Sequence, residues 1–229
     1  MLSFVNDPLT SPRYDLSQVS RLVKITRRTA KRWLEGYEFG PATDRKMSPP
    51  LIAKGTCQAS FLELMELVYS SAFLDAGFSL QKIRKALAEA RSVTGQDHPF
   101  ANKTIYIAPN DIYVRMGENE TENAELRSLL KAGQQGIAPV ILDISKRLDF
   151  DETGNVCAWH PKGKNIPIVV DPFHVDGDPR IANTRIPTSA VLSLWRAEKN
   201  QVEPVANAFG LSADTIRAIV DFEMASTAA

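Results

Sequence analysis

The amino-acid sequence predicts a mainly α protein with a smaller α+β middle, and three observations carry that prediction. Apolar residues recur at helical spacing behind capping residues over 15–37 and again over 60–95. From 104 to 170 the pattern changes to short apolar runs of strand length, and helical spacing returns from Thr188 to the end. At 229 residues the chain exceeds a usual single domain. It divides into an N-terminal winged helix-turn-helix with a following helical pair (12–97), a central α+β module (98–170) and a C-terminal three-helix, helix-turn-helix-like domain (171–229).

The first helix begins at Asp15, which caps it with Gln18, and places Leu16, Val19 and Val23 on one stripe beside the small Ser20. Thr26 caps a second helix in which Ala30, Trp33, Leu34 and Tyr37 form the inward stripe and Gly36 ends the run. The stretch 40–50 is rich in Gly and Pro and carries Arg45 and Lys46. It is either a wing lying over a nucleic-acid backbone or an irregular connector. Ser60 and Glu63 form a capping box for a third helix running to Ala76, and Ser79 caps a fourth that stops at Gly95. The third helix is apolar around more of its circumference than one contact requires. Packing against the same helix of a second subunit would explain this, so a homodimer is expected.

Residues 104–107 and 112–115 read as a hairpin, 124–132 as a helix, 156–159 as a strand and 166–170 as a short strand, with an apolar run at 140–144. Thr188 is placed to cap a helix bearing Val191, Leu194 and Trp195. Pro204 stands at the start of the next helix, Gly210 turns the chain, and Ser212 caps a last helix with Ile216, Ile219 and Val220 inside.

Charge is unevenly distributed. Residues 21–32 hold six basic side chains and no acid in a chain whose formal charge is zero. Such a patch creates a local field that attracts phosphates and releases their counterions. Burying Trp33 and Leu34 aims Arg27, Arg28, Lys31 and Arg32 outward together. Two short helices with a basic outer face on the second make a helix-turn-helix whose second helix enters a major groove. Arg27, Arg28 and Lys31, with Thr29 among them, are the candidates for base edges; Arg21, Lys24 and Arg32 are those for phosphates. The bland reading is a solvated cationic face.

Other chemistries find little support. Cys57 and Cys157 are too few for a disulfide framework, and with His98, His160 and His174 they show no metal-ligand spacing. No metal or cofactor is expected. Asp143, Asp149, Asp151 and Glu152 form the one tight carboxylate group. No adjacent histidine, nucleophile elbow or phosphate loop accompanies them, and 151–155 reads as a polar turn, so no enzymatic activity is expected. No apolar run approaches membrane-spanning length and the N-terminus lacks a charged signal region, so a cytoplasmic protein without a membrane contact is expected.

Residues 14–37, with Trp33 and Glu35-Gly36-Tyr37, and the junction Asp75-Ala76-Gly77-Phe78-Ser79-Leu80-Gln81-Lys82-Ile83 resemble the MerR family of winged helix-turn-helix regulators. The resemblance covers 12–94 at most. The chain does not continue into that family's sensor segment, so effector sensing by metal or drug is not implied. A second resemblance lies in Gly177-Asp178-Pro179-Arg180-Ile181-Ala182-Asn183-Thr184-Arg185-Ile186-Pro187. It is similar to a small bacterial domain with the signature Gly-x-Pro, an apolar residue, then Gly-Thr-Arg-Ile-Pro, followed by three helices. Asn183 stands where glycine is usual, and Asn tolerates the left-handed backbone nearly as well. Members of that family look like antitoxins paired with PIN-domain (VapC-type) ribonuclease toxins.

Residues 188–229 are net acidic, so this second helix-turn-helix-like pair suits a protein partner better than DNA. The two resemblances together imply a VapB-type antitoxin that binds operator DNA through its N-terminal part and a PIN-domain toxin through its C-terminal part. Arg185, Trp195 and Arg217 are then the candidate toxin contacts. The alternative is a free-standing MerR-like regulator with no toxin partner.

Overall fold

The computed structural model describes residues 7–52, 57–108, 111–116, 125–130 and 145–227. It is a mixed, helix-rich fold. Helices α1 (Leu16–Val23) and α2 (Arg27–Glu35) are followed by a hairpin of β1 (Tyr37–Phe39) and β2 (Lys46–Ser48). Then come α3 (Phe61–Asp75) and α4 (Leu80–Thr94). In the middle, β3 (Ile105–Ala108), β4 (Asp111–Met116) and β5 (Glu125–Ser128) form an antiparallel three-stranded sheet. Two further antiparallel pairs follow: β6 (Leu148–Phe150) with β7 (Val156–Trp159), and β8 (Ile168–Val169) with β9 (Arg180–Ile181). The chain finishes with α5 (Thr188–Ala197), α6 (Val202–Phe209) and α7 (Ala213–Thr227).

The helix starts follow local chemistry. Asp15 accepts from the backbone N–H groups of Ser17 and Gln18 while the Gln18 side chain accepts from the Asp15 N–H, a closed capping box. Ser60 and Glu63 do the same for α3. Thr26, Ser79 and Ser212 cap α2, α4 and α7 through the backbone N–H three residues on. Gly95 and Gly210 end α4 and α6 in the left-handed conformation, where glycine pays no Cβ penalty.

Four expectations are corrected. Residues 125–128 are a strand, not the start of a helix over 124–132. The register Tyr113↔Ser128 pairs them with β4, and the Ser128 hydroxyl donates to the buried Asp111 carboxylate at 2.9 Å. Sheet pairing and a buried polar bond override the helical propensity of Glu, Leu and Arg. Thr188 is not a cap: Pro187 holds that position, and the Thr188 hydroxyl lies inside the protein against Glu223 and the Pro179 carbonyl. The strand expected over 166–170 is only the two-residue β8. The apolar circumference of α3 is covered by the chain itself. Phe61, Leu64, Met65, Leu67 and Phe73 are fully buried, α3 packs on α1, on α4 and on the turn at Pro99–Ala101, and Phe73 meets Phe100 edge-on at 5.1 Å. That helix therefore gives no reason to invoke a second subunit. The 140–144 run and Asp143 lie outside the described residues.

One connected core runs from Tyr14 and Trp33 through Phe73, Ile112 and Trp159 to Ile216 and Phe222. The N- and C-terminal parts are tied by polar bonds across it. The Tyr14 hydroxyl donates to the Gly177 carbonyl at 3.2 Å, Arg13 donates to that of Pro172 at 2.9 Å, and the Gln18 amide donates to Asp178 at 3.1 Å. Gly177 has φ +85°, and a Cβ there would collide with the Tyr14 hydroxyl, so the signature glycine is what lets α1 approach this turn. Asn183 does adopt the left-handed backbone, φ 60°.

Candidate nucleic-acid interface

Helix α2 is anchored by its apolar side and by its C-terminus. Ala30, Trp33 and Leu34 are buried, and the Trp33 carbonyl accepts from the Leu51 N–H at 2.7 Å. Gly36 has φ +78°, and its missing Cβ leaves room for the Ser48 carbonyl of β2. Arg84 on α4 braces the same place, donating to the Ser48 hydroxyl at 2.9 Å and to the Pro49 carbonyl at 2.6 Å. The stretch 37–48 is thus an antiparallel hairpin held at its root by α2 and α4.

The cations of this region divide into three groups. Arg27 and Arg28 are exposed and have no acidic partner among the described residues. Lys31 is exposed and meets Glu35 at 3.7 Å across one helical turn, an exchangeable surface pair. Thr29 is half-buried, its hydroxyl against that of Thr26. Arg32 is half-buried and lies over the Tyr37 ring at 4.6 Å, which directs it to the root of the hairpin. On this hairpin, Arg45 pairs with Glu38 at 2.9 Å and Lys46 with Asp44 at 3.6 Å, so the hairpin adds no net charge of its own.

One of the predicted phosphate contacts is turned inward, and another stays exposed beside α2. Arg21 points into the protein, its guanidinium 3.1 Å from Glu223 on α7 and 3.8 Å from Asp178. Lys24 occupies the turn between α1 and α2 with φ 59° and lines a cavity shared with β7 and α7. The arrangement leaves Arg27, Arg28 and Lys31 as one outward cationic face on a rigid helix. A face of this kind neutralises phosphates and donates bidentate hydrogen bonds to guanine edges.

At the C-terminal end, Arg185 is exposed on the signature loop, Trp195 is half-buried against the core, and Arg217 is exposed with Asp214 at 2.7 Å. The loop before it is built on Asp171, which accepts from Arg180 at 2.6 Å and from the Phe173 N–H, and meets a His174 ring nitrogen at 2.8 Å. Burial works to raise the Asp171 pKa, but these donors outweigh it and hold the carboxyl below the usual value. Asp149 is likewise claimed by Lys164 at 2.6 Å and His160 at 2.7 Å, and Asp151 accepts from Thr153 and Asn155 in a polar turn. Among the described residues no group of His, Cys, Asp or Glu is placed to hold a metal. The Cys57 thiol donates to Glu35 at 3.0 Å, and that bond raises its pKa. No helix among the described residues is long and apolar enough to cross a membrane.

Sequence reasoning missed Arg84 and Tyr14, and helical periodicity alone turns Glu223 outward, whereas it is 4% exposed in the structure. Their partners are distant in the chain, up to 202 residues for Arg21 and Glu223, so no local signal marks them.

Known proteins resemble this chain over most of its length. Residues 168–222 match the family described as "Protein of unknown function (DUF433)", a span that contains β8, the signature loop and α5 to α6 with most of α7. A Mycobacterium tuberculosis protein named "Putative antitoxin VapB45" is 24% identical over 224 residues, covering 92% of this chain and 93% of that one. A second, Rv2308, which its name calls uncharacterized, is 24% identical over 217 residues, covering 91% and 89%. The crystal structure of Rv2018 from Mycobacterium tuberculosis superposes with a TM-score of 0.62 at 19% identity, covering 92% of this chain and 98% of that one. At that identity the likeness is one of fold.

Proposed function

We propose that the protein is a VapB-type antitoxin that binds operator DNA through α2 and a PIN-domain ribonuclease toxin through its C-terminal helices. The observation that carries the DNA half is the outward face of Arg27, Arg28 and Lys31 on α2, with the β1–β2 hairpin beside it, which we read as the second helix and the wing of a helix-turn-helix. The toxin half is supported by the end-to-end similarity to a protein named as an antitoxin and by the net acidic composition of 188–229. In this reading, two copies place α2 in successive major grooves of a palindromic site and repress their own operon, while α5 to α7 mask the toxin. No catalytic step is assigned to the chain. Linkage requires that any gain in DNA affinity on toxin binding be matched by an equal gain in toxin affinity on DNA binding.

The test is co-expression with the product of the adjacent reading frame. A stable complex that binds DNA from upstream of the pair and suppresses a ribonuclease activity of the partner supports the proposal. DNA binding by the chain without any partner supports the alternative, a free-standing regulator. Ribonuclease suppression that survives deletion of 171–229 would move the toxin site out of the C-terminal helices.

A further inference from the structure

In the connection from β8 to β9, Val175, Asp176 and Gly177 are consecutive left-handed residues, with φ 51°, 52° and 85°. Glycine takes that backbone freely. For a β-branched residue such as Val175 it is an outlier, because the Cβ crowds the following carbonyl. A backbone of this kind persists only where its surroundings over-determine it. Here they do so from both sides. The Asp171 carboxylate accepts from the Phe173 N–H at 3.0 Å and from Arg180 at 2.6 Å. From the N-terminal part, Arg13 holds the Pro172 carbonyl, Tyr14 that of Gly177, and Gln18 the Asp178 carboxylate.

These clamps fix the ends of the turn and leave its crest in water. Phe173 is 55% exposed, and His174 and Asp176 are exposed beside it. The His174 Nδ1 lies 2.8 Å from the ionised Asp171, which sets the proton of the neutral ring on Nδ1 and leaves Nε2 as an acceptor. Asp176 has no ion-pair partner among the described residues. The crest therefore combines a large apolar ring with an acceptor nitrogen and a free carboxylate. That chemistry repels phosphates. It fits a protein surface with an apolar pocket and Arg or Lys at the pocket's rim.

We propose that residues 173–176 are the main anchor for the toxin, with Phe173 seated in an apolar pocket of that partner and Asp176 against a basic group at its rim. The proposal rests on the toxin reading above and moves the principal contact from α5 to α7 to the turn that precedes them. A turn already fixed by Asp171, Arg13 and Tyr14 loses little conformational freedom when a partner closes on it.

The test is titration of the full-length chain against the purified product of the adjacent reading frame, with urea unfolding of each variant as control. Phe173→Ala should weaken the complex at least about tenfold at an unchanged urea midpoint, because the ring is already largely in water. Phe173→Leu keeps an apolar anchor and should lose clearly less. Asp176→Asn still tolerates the left-handed backbone, and removing its charge should slow association and flatten its salt dependence. A Phe173→Ala complex within about twofold of wild type overturns the proposal and leaves the toxin reading standing. So does a salt dependence that Asp176→Asn leaves unaltered, or a change in the oligomeric state of the free chain in Phe173→Ala, which would make the crest a contact between copies. A wild-type chain that binds no such partner overturns the toxin reading and this proposal together.

Discussion

Replacing Arg21 by methionine separates a structural role from a DNA-binding one. The change leaves Glu223, 4% exposed, with the Thr188 hydroxyl at 2.5 Å but without its guanidinium. Breaking a fully buried pair from one side costs about 3–5 kcal/mol. The Arg21 side chain keeps 23% exposure, so water shares its charge, and the expected loss is nearer 2 kcal/mol. For a chain of this size that is a fall in Tm of about 4–8 °C. Urea unfolding at pH 7 of Arg21→Met, Glu223→Gln and the double variant measures it. The double variant should be about as unstable as the worse single one, because both changes break the same contact. Additive losses, or a change under about 0.5 kcal/mol for Arg21→Met, refute the reasoning. The same variant should leave the salt dependence of DNA binding unaltered; a slope reduced by about one unit would return Arg21 to the phosphates.

Three further expectations concern the signature loop. Gly177→Ala forces a Cβ onto the Tyr14 hydroxyl at a left-handed position and should cost more than about 2 kcal/mol in urea unfolding, whereas a loss below about 0.5 would show that the contact yields freely. Asn183→Gly should be neutral within about 0.5 kcal/mol, while Asn183→Val should cost about 1–2 kcal/mol, since the backbone there is left-handed; equal effects would contradict that assignment. Asp171 has a lowered folded-state pKa, so its stabilisation is present above the ordinary carboxylate value of about 3.9 and is lost as pH falls through the folded value. Asp171→Asn should therefore destabilise clearly at pH 7 and progressively less below about pH 4, and a gap that stays constant with pH would contradict the ion-pair account.

What was legible in the sequence was what is decided locally. Asp15 with Gln18, Thr26, Ser60 with Glu63, Ser79 and Ser212 announce their helices because each cap bonds within a few residues. The basic face of α2 follows from burying Trp33 and Leu34, and Arg27, Arg28 and Lys31 are where periodicity puts them. What was not legible depended on distant partners. Residues 125–128 carry good helix formers, and only β4 and the Asp111 carboxylate make them a strand. Thr188 has the chemistry of a cap but is drawn inward by Glu223, which also claims Arg21. The apolar excess of α3 suggested a second subunit because its covering, Phe100 and the core of α1, lies far along the chain in either direction. At the C-terminal end, Arg185, Trp195 and Arg217 are all near or at the surface, but nothing local distinguishes a docking residue from a solvated one.

The central claim is that α2 presents Arg27, Arg28 and Lys31 to a duplex. Fluorescence anisotropy with a labelled fragment from upstream of the chain's own gene, titrated over a series of salt concentrations, tests it most directly. Wild type should bind with a steep slope of log K against log salt, and Arg27→Ala/Arg28→Ala/Lys31→Ala should flatten that slope by about 2–3 units with no change in urea midpoint. An identical slope in the folded triple variant, or wild-type binding no tighter to that fragment than to random DNA, would contradict it.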